Sequence, residues 1–261
     1  MAKISVVINT LNADRLLEKC LESVKDADEI IICDMHSEDK TIEIAENFGC
    51  KIVYHERTGI VEPARNWAME QASGDWILVL DADELVTPEL WAYLKEYAQN
   101  PKDGYYACSM PRKTSLDGKI LGSWVQKECK RFWKKGVCTY TDAIHQMPVT
   151  HEGKDLCIKD MDKAIVHYHI PSISSYIEKT DRYTDFEIKK FEMKGKKFSL
   201  FKLLTRPGYE FFKIYFLKGG IFDGIHGFIF AMMQSYYKFI QWAKLYEKEF
   251  KDKNKDKDLI Y

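Results

Sequence analysis

Trp76-Ile77-Leu78-Val79-Leu80-Asp81-Ala82-Asp83-Glu84 is an apolar run that ends abruptly in acidic residues. The run is short and carries β-branched Ile77 and Val79, so it predicts a strand buried on both faces. In an open α/β sheet, ligands bind just past the carboxyl ends of the strands. Asp-x-Asp at such an end sets several carboxylate oxygens at the mouth of a cleft. That suits a hard divalent cation which keeps part of its shell for substrate phosphates. Acidic residues also follow strands as caps and turn formers, so the flanking sequence has to decide.

Upstream, Ala64-Arg65-Asn66-Trp67-Ala68 opens a helix after Pro63, with Gly74 as its stop. Lys51 to Tyr54 is a short strand, and Glu29-Ile-Ile-Ile-Cys-Asp34 is a buried one ending in a carboxylate. Ile4 to Ile8 is a compact β-branched run expected at the sheet centre. Asn12 is placed to cap the next helix, which carries Leu16, Leu17, Cys20, Leu21 and Val24 at helical spacing. Gly49 is placed to end the helix after Asp34. Downstream, Thr87-Pro88 restarts a helix as N-cap and first-turn proline. Strands alternating with helices predict an α/β fold with a parallel, doubly wound sheet over the first hundred residues. Thr10 and Asn12, Asp34, the Arg65 region, and Asp81 and Asp83 then converge at strand ends. Neither Gly-x-Gly-x-x-Gly nor Gly-x-x-x-x-Gly-Lys-Ser/Thr occurs, which argues against a dinucleotide dehydrogenase and a P-loop ATPase.

Bulk properties narrow the class. A chain of 261 residues with 46% hydrophobic and 30% charged content builds a sizeable core. A net charge of -1 gives no polyelectrolyte signal for nucleic acid. Seven cysteines, none in a Cys-x-x-Cys pair, read as reduced thiols of a cytosolic protein. The N-terminus runs straight into a strand without a signal-peptide pattern.

Ile4-Ser-Val-Val-Ile-Asn-Thr-Leu-Asn12, then Ile30-Ile-Ile-Cys-Asp-Met-His-Ser-Glu-Asp-Lys-Thr41, then Ala64-Arg-Asn66, then Leu80-Asp-Ala-Asp-Glu84 resemble the family 2 glycosyltransferases of GT-A fold. Arg131-Phe-Trp, Ile144-His145, His167 and the stretch from Tyr215 to Gly227 resemble a narrower branch, bacterial lipopolysaccharide core glucosyltransferases. The resemblance implies a Rossmann-like, mostly parallel sheet flanked by helices, with a C-terminal amphipathic helical extension. It implies a nucleotide-sugar half over 1–100, an acceptor half over 101–175 and C-terminal helices over 176–261. The implied activity is inverting transfer from a nucleotide-sugar, UDP-linked, to a bacterial surface glycan or lipid-linked acceptor.

By the same resemblance, Thr10 and Asn12 contact the nucleotide, and Asp34 accepts hydrogen bonds from uracil or ribose. Arg65 faces the donor, Asp81 reaches the donor sugar or ribose, and Asp83 ligates Mg²⁺ or Mn²⁺ on the diphosphate. His167 is a third metal ligand or a diphosphate contact, and alternation puts His169 on the same side of its strand. Arg131 pairs with phosphate oxygens. On local sequence alone, Arg65 and Arg131 read equally as solvated surface charges, Asp34 as a turn former and His167 as a core histidine. Ser37, Asp39 and Thr41 read as turn and cap residues, and Glu84 as a residue that orients its neighbours. Many relatives carry His-Glu where this chain has His145-Gln146, and a glutamine cannot accept a proton. Asp142 is the nearest replacement base, with Glu152 and Asp155 behind it and His145 assisting.

From Arg182 to Lys218, ten Lys/Arg stand against four Asp/Glu, interleaved with aromatics. Ile221 to Ala243 then repeats apolar residues at helical spacing. Its longest uncharged run, Gly224 to Tyr237, is fourteen residues, too short to span a bilayer. Basic, aromatic amphipathic helices suit the cytoplasmic face of an anionic membrane, giving a peripheral protein of the inner face. The same stripe also suits packing on the catalytic domain or on a twin in a homo-oligomer. Lys248 to Lys257 reads as a solvated tail. Two other classes stay open: a nucleotide-binding membrane-surface scaffold without turnover, given Gln146, and a sugar nucleotidyltransferase. The latter needs a Gly-rich loop where the chain has Asn9-Thr10-Leu11-Asn12.

Overall fold

The computed structural model describes residues 1–57, 62–141 and 147–254. The chain begins β1 (Ile4–Thr10), α1 (Asp14–Glu22), β2 (Glu29–Asp34), α2 (Thr41–Asn47), β3 (Lys51–Tyr54), α3 (Glu62–Glu70) and β4 (Trp76–Asp81). It continues β5 (Glu84–Val86), α4 (Pro88–Gln99), β6 (Tyr105–Leu116), β7 (Lys119–Lys134), β8 (Cys138–Thr139), β9 (Val149–Thr150), β10 (Lys154–Cys157) and β11 (Ile165–Ile170). α5 (Ile173–Met193), α6 (Leu200–Phe212) and α7 (Gly224–Lys253) end it. A π turn over Lys213–Leu217 and a 3₁₀ turn over Gly220–Asp223 lie between the last two.

The expected parallel sheet is present. β1 runs parallel to β2 and β4, and β3 runs parallel to β2. β1 is buried along its whole length, and alternation divides it between two cores. Val6 and Ile8 join Leu17, Leu21, Leu90 and Leu94 on the α1/α4 face. Val7 joins Ile31, Val79, Ala64 and Ala68 on the α3 face. The register sets Thr10 opposite Asp34 and Asn9 opposite Asp81, so the carboxyl ends come level. The strand order is β3-β2-β1-β4-β7-β6-β11-β5, with β10 on β6, and β4 pairs antiparallel with β7.

Local expectations hold where a residue's own chemistry decides, and differ where packing does. Thr87 caps α4 by accepting from Leu90 N at 3.3 Å, and Gly49 takes φ of 68° after α2. Asn12 does not cap α1. Its φ is 50°, and its Oδ1 accepts from Glu38 N at 2.8 Å. The first amides of that region donate elsewhere, Ala13 N to Thr41 Oγ1 at 2.8 Å and Asp14 N to Asp39 Oδ2 at 3.1 Å. Gly74 is no helix stop, because α3 ends at Glu70. A Cβ on Gly74 would meet Ser5 Oγ at 2.7 Å, so the glycine permits close approach to β1. β6 and β7 are 12 and 16 residues long. Buried Ser109, Thr114, Lys130 and Arg131 hid their alternation. Asp117 and Gly118 join them with φ of 48° and 79°. The tail expected to be solvated from Lys248 to Lys257 is helical and mostly exposed as far as Lys253, with Lys251 pairing one turn back to Glu247 at 2.6 Å; residues 255–257 lie outside the described residues.

The chain divides into two compact units, Met1–Lys113 with Val125–His167, and Thr114–Trp124 with Tyr168–Tyr261. The second has its own core of Leu116, Leu121, Ile170, Tyr176, Ile214 and Phe230.

Candidate active site

The chain turns at Ala82-Asp83 between β4 and β5. Glu84 opens β5, which pairs antiparallel with β11 and sets His167 opposite Glu84. This three-residue strand was not legible from sequence, yet it brings His167 to the acidic turn.

Guanidiniums surround the acidic turn. Arg65, on the first turns of α3, bonds Asp81 Oδ1 and lies over the Tyr140 ring, 5.2 Å from its centroid. Arg131, on β7, reaches Asp81 Oδ2 at 2.6 Å and Glu84 Oε1 at 3.0 Å. Arg112, on β6, lies 2.9 Å from Glu84 Oε1. Glu84 is fully buried, and its other oxygen accepts from Asp81 N at 3.0 Å. Burial alone would raise the Asp81 carboxyl, but Arg131 and Arg65 outweigh it and hold it well below the usual carboxylate range. Burial likewise opposes the charge on Arg131, and Asp81 and Glu84 overcome it and raise that group. Arg65 and Arg131 are both buried, so neither is a solvated surface charge. β7 carries Lys130 inward as well, where Nζ meets Thr150 Oγ1 at 2.7 Å and Asp155 Oδ2 at 2.5 Å. Asp155 is thereby committed to a structural ion pair.

His167 Nε2 lies 3.3 Å from Asp83 Oδ1, and Arg112 Nη2 lies 2.5 Å from Nδ1. A guanidinium only donates, so Nδ1 accepts and the neutral ring directs its Nε2 proton at Asp83. His169 follows two residues along the same strand, so its place comes from β11 itself. One potential ligand atom from each of Asp83, His167 and His169 lies within 4.8 Å of the others.

The second corner forms where β1 and β2 end. Asp34 is fully buried. Its carboxylate accepts from Thr10 Oγ1 at 2.8 Å, Ser37 N at 2.8 Å and Ser37 Oγ at 2.6 Å. Asn12 N donates to Ser37 Oγ at 2.8 Å. Thr10, Asn12 and Asp34 are therefore one knot, with Asp39 and Thr41 tying the same loop to α1. Arg57 closes it from below, donating to Met35 O at 3.2 Å and His36 O at 2.6 Å.

Asp142, His145 and Gln146 lie outside the described residues. What leads to them is fixed: the Asn66 amide clamps Tyr140, donating to its O and accepting from its N, each at 2.8 Å. Sequence reasoning missed this clamp and Arg112. Asn66 stood inside the Ala-Arg-Asn stretch as a signal. Arg112 stands in no motif, and only its cross-strand neighbours mark it.

A model of the family described as glycosyl transferase family 2 matches residues 5–149. An uncharacterized glycosyltransferase of Rickettsia bellii is 30% identical over 94% of this chain and 86% of its own length. The lipopolysaccharide core biosynthesis glycosyltransferase LpsC of Rhizobium meliloti is 25% identical over 94% of this chain and 92% of its own. Among solved structures, glucosyl-3-phosphoglycerate synthase of Mycobacterium tuberculosis, in complex with Mn²⁺, UDP and phosphoglyceric acid, is similar at 24% identity and a TM-score of 0.36. That similarity spans 45% of this chain and 44% of that one, less than half of either.

Proposed function

The chain belongs to glycosyl transferase family 2, and from that premise we propose that it transfers a sugar from a UDP-linked donor, with divalent cation and inversion, to a bacterial surface glycan or glycolipid. The observation that carries this reading is the acidic turn after β4, which faces buried arginines and His167 at the carboxyl ends of parallel strands. LpsC, similar over nearly the whole chain, supports an acceptor of the lipopolysaccharide core kind. Free thiols at all seven cysteines suit a reducing, cytoplasmic compartment.

The charges support the need for a cation. Asp81, Asp83 and Glu84 are matched by Arg65, Arg112 and Arg131, so these groups together offer no surplus positive charge to a diphosphate. Asp83, His167 and His169 fit a cation that accepts oxygen and imidazole ligands together. Bound there, Mg²⁺ or Mn²⁺ would supply Lewis-acid neutralisation of the departing nucleoside diphosphate. Arg112 would have to leave His167 Nδ1 for either ring nitrogen to serve as a ligand, because the ring proton and the guanidinium would otherwise face each other.

The remaining roles belong to the chain's own groups. Asp81, ionised, orients the ribose or sugar by accepting hydrogen bonds from its hydroxyls. Asp34, enclosed by Thr10 and Ser37, accepts from the base only once Ser37 moves aside, and Asn12 fixes the loop beside it. Arg131 and Arg65, once drawn from Asp81, face the phosphates. Asp142, assisted by His145, takes the proton of the acceptor hydroxyl while the nucleotide leaves from the opposite face.

The test is UDP release from a panel of UDP-sugars, with and without Mn²⁺, in wild type and Asp83→Asn. Expected is metal-dependent release that falls at least ~100-fold in the variant, on the scale of losing one charge-stabilising group. Release that ignores both metal and Asp83, or no UDP binding at all, would overturn the reading.

A further inference from the structure

We infer that the second unit docks on an anionic bilayer, inserting the turn between α6 and α7 together with the outer side of α6. α6 is inside out for a helix in water. Its one buried residue is Glu210, paired with Lys213 at 3.0 Å. Phe201, Leu204 and Phe212, spaced to share a face, stand 74%, 71% and 50% exposed. The turn continues that surface, with Leu217 and Ile225 each 66% exposed and Phe222 91% exposed. Large apolar side chains exposed in this number mark an interaction site.

The backbone beneath it is tied down. The Asp223 carboxylate accepts from Gly122 N at 2.8 Å, Ser123 N at 3.0 Å and Ser123 Oγ at 2.5 Å. Gly219 takes φ of 78°. A Cβ on Gly227 would lie 1.9 Å from Gly220 O, so α7 starts flush against the turn. Phe222 is thus held outward by a constrained scaffold, as a wedge.

Charge identifies the occupant. From Lys194 through Phe222 the chain carries seven Lys or Arg and a single acidic residue, the buried Glu210. Arg206 flanks the apolar face of α6, and Lys202, one turn before it, sets its Nζ 5.2 Å from the Trp242 ring centroid. An apolar face with a basic flank is the pattern of a helix lying in an anionic interface, where the cationic heads reach the phosphates. A second copy fits poorly, because a two-fold contact through this face sets like charges together. No single described helix is long and apolar enough to cross a membrane; Leu200–Leu217 and Gly220–Lys253 reach that length and composition only as a pair, bent by 72° at the break.

The inference stands apart from the transferase reading and is tested on the full chain by flotation at low salt. The vesicles are phosphatidylglycerol–phosphatidylcholine, with pure phosphatidylcholine as the comparison. Wild type is expected to float with the anionic vesicles and far less with the neutral ones. Phe222→Ser should weaken partitioning about tenfold, the worth of burying one large apolar side chain, and Arg206→Glu should weaken it further at low salt than at high. Phe222→Trp should shift its emission to the blue on adding anionic vesicles. UDP release in solution should be the same in all of these as in wild type. A wild-type chain that stays at the bottom, or a Phe222→Ser chain that floats as well as wild type, overturns the inference. So does a dimer by light scattering that Phe222→Ser dissociates without any vesicle binding.

Discussion

Glu84 is the residue on which the acidic turn depends. It is fully buried, joins Arg131 and Arg112, and accepts the amide of Asp81. A buried ion pair adds little net stability, but removing one partner strands the other's charge. Glu84→Gln keeps the shape and removes the charge, so it should cost about 3 kcal/mol in urea unfolding, with m unchanged. A midpoint equal to wild type would mean that Arg112 and Arg131 find other partners. From sequence, Glu84 was readable only as a residue that orients its neighbours, because those neighbours, Arg112 and Arg131, lie far along the chain on β6 and β7. Asp81 and Asp83 were readable as a site because both stand at the end of one apolar run.

At the scale of elements, the elements themselves follow from local pattern, and the contacts between them do not. The β1, β2 and β4 runs name themselves by β-branched content, and Thr87-Pro88 names the start of α4. β5 has only three residues and exists because β11 offers it a partner. The junction of α6 and α7 depends on Gly227, where a Cβ would strike Gly220 O at 1.9 Å. Gly227→Ala has no flexible side chain to push aside and must move backbone, which costs ~1–3 kcal/mol or more. Hydrogen exchange should accelerate over 213–235 while β1, β2 and β4 keep their protection. Unchanged exchange at the junction would show that the turn opens freely.

For the whole molecule, buried thiols set the alkaline limit. Burial pushes Cys33 up to about 11 and Cys108 up to about 12, against roughly 8.5 for an unfolded thiol. Below that unfolded value both states keep their protons, and the contribution is complete. As pH rises, the unfolded thiols ionise first, so stability falls until pH passes the folded values. The thermal midpoint should therefore drop from about pH 8.5 towards about 12, and Cys108→Ala should flatten the drop. A variant as steep as wild type would exclude Cys108 as a cause.

The sequence by itself determined the α/β order of the first half, the family, the acidic turn and the basic, aromatic character of the last third, because each lies in a contiguous run. Only the tertiary structure decided what the site residues touch: Arg131 and Arg65 on Asp81, Arg112 on His167, Asn66 on Tyr140, Asn12 on Glu38 in place of capping α1. These pairs are separated by tens of residues, and their geometry comes from strand register and sheet order, which no local pattern encodes. Exposure was equally a tertiary result. Helical spacing sets Phe201, Leu204 and Phe212 on one face of α6, and only the fold, by burying Glu210 instead, turns that face outward.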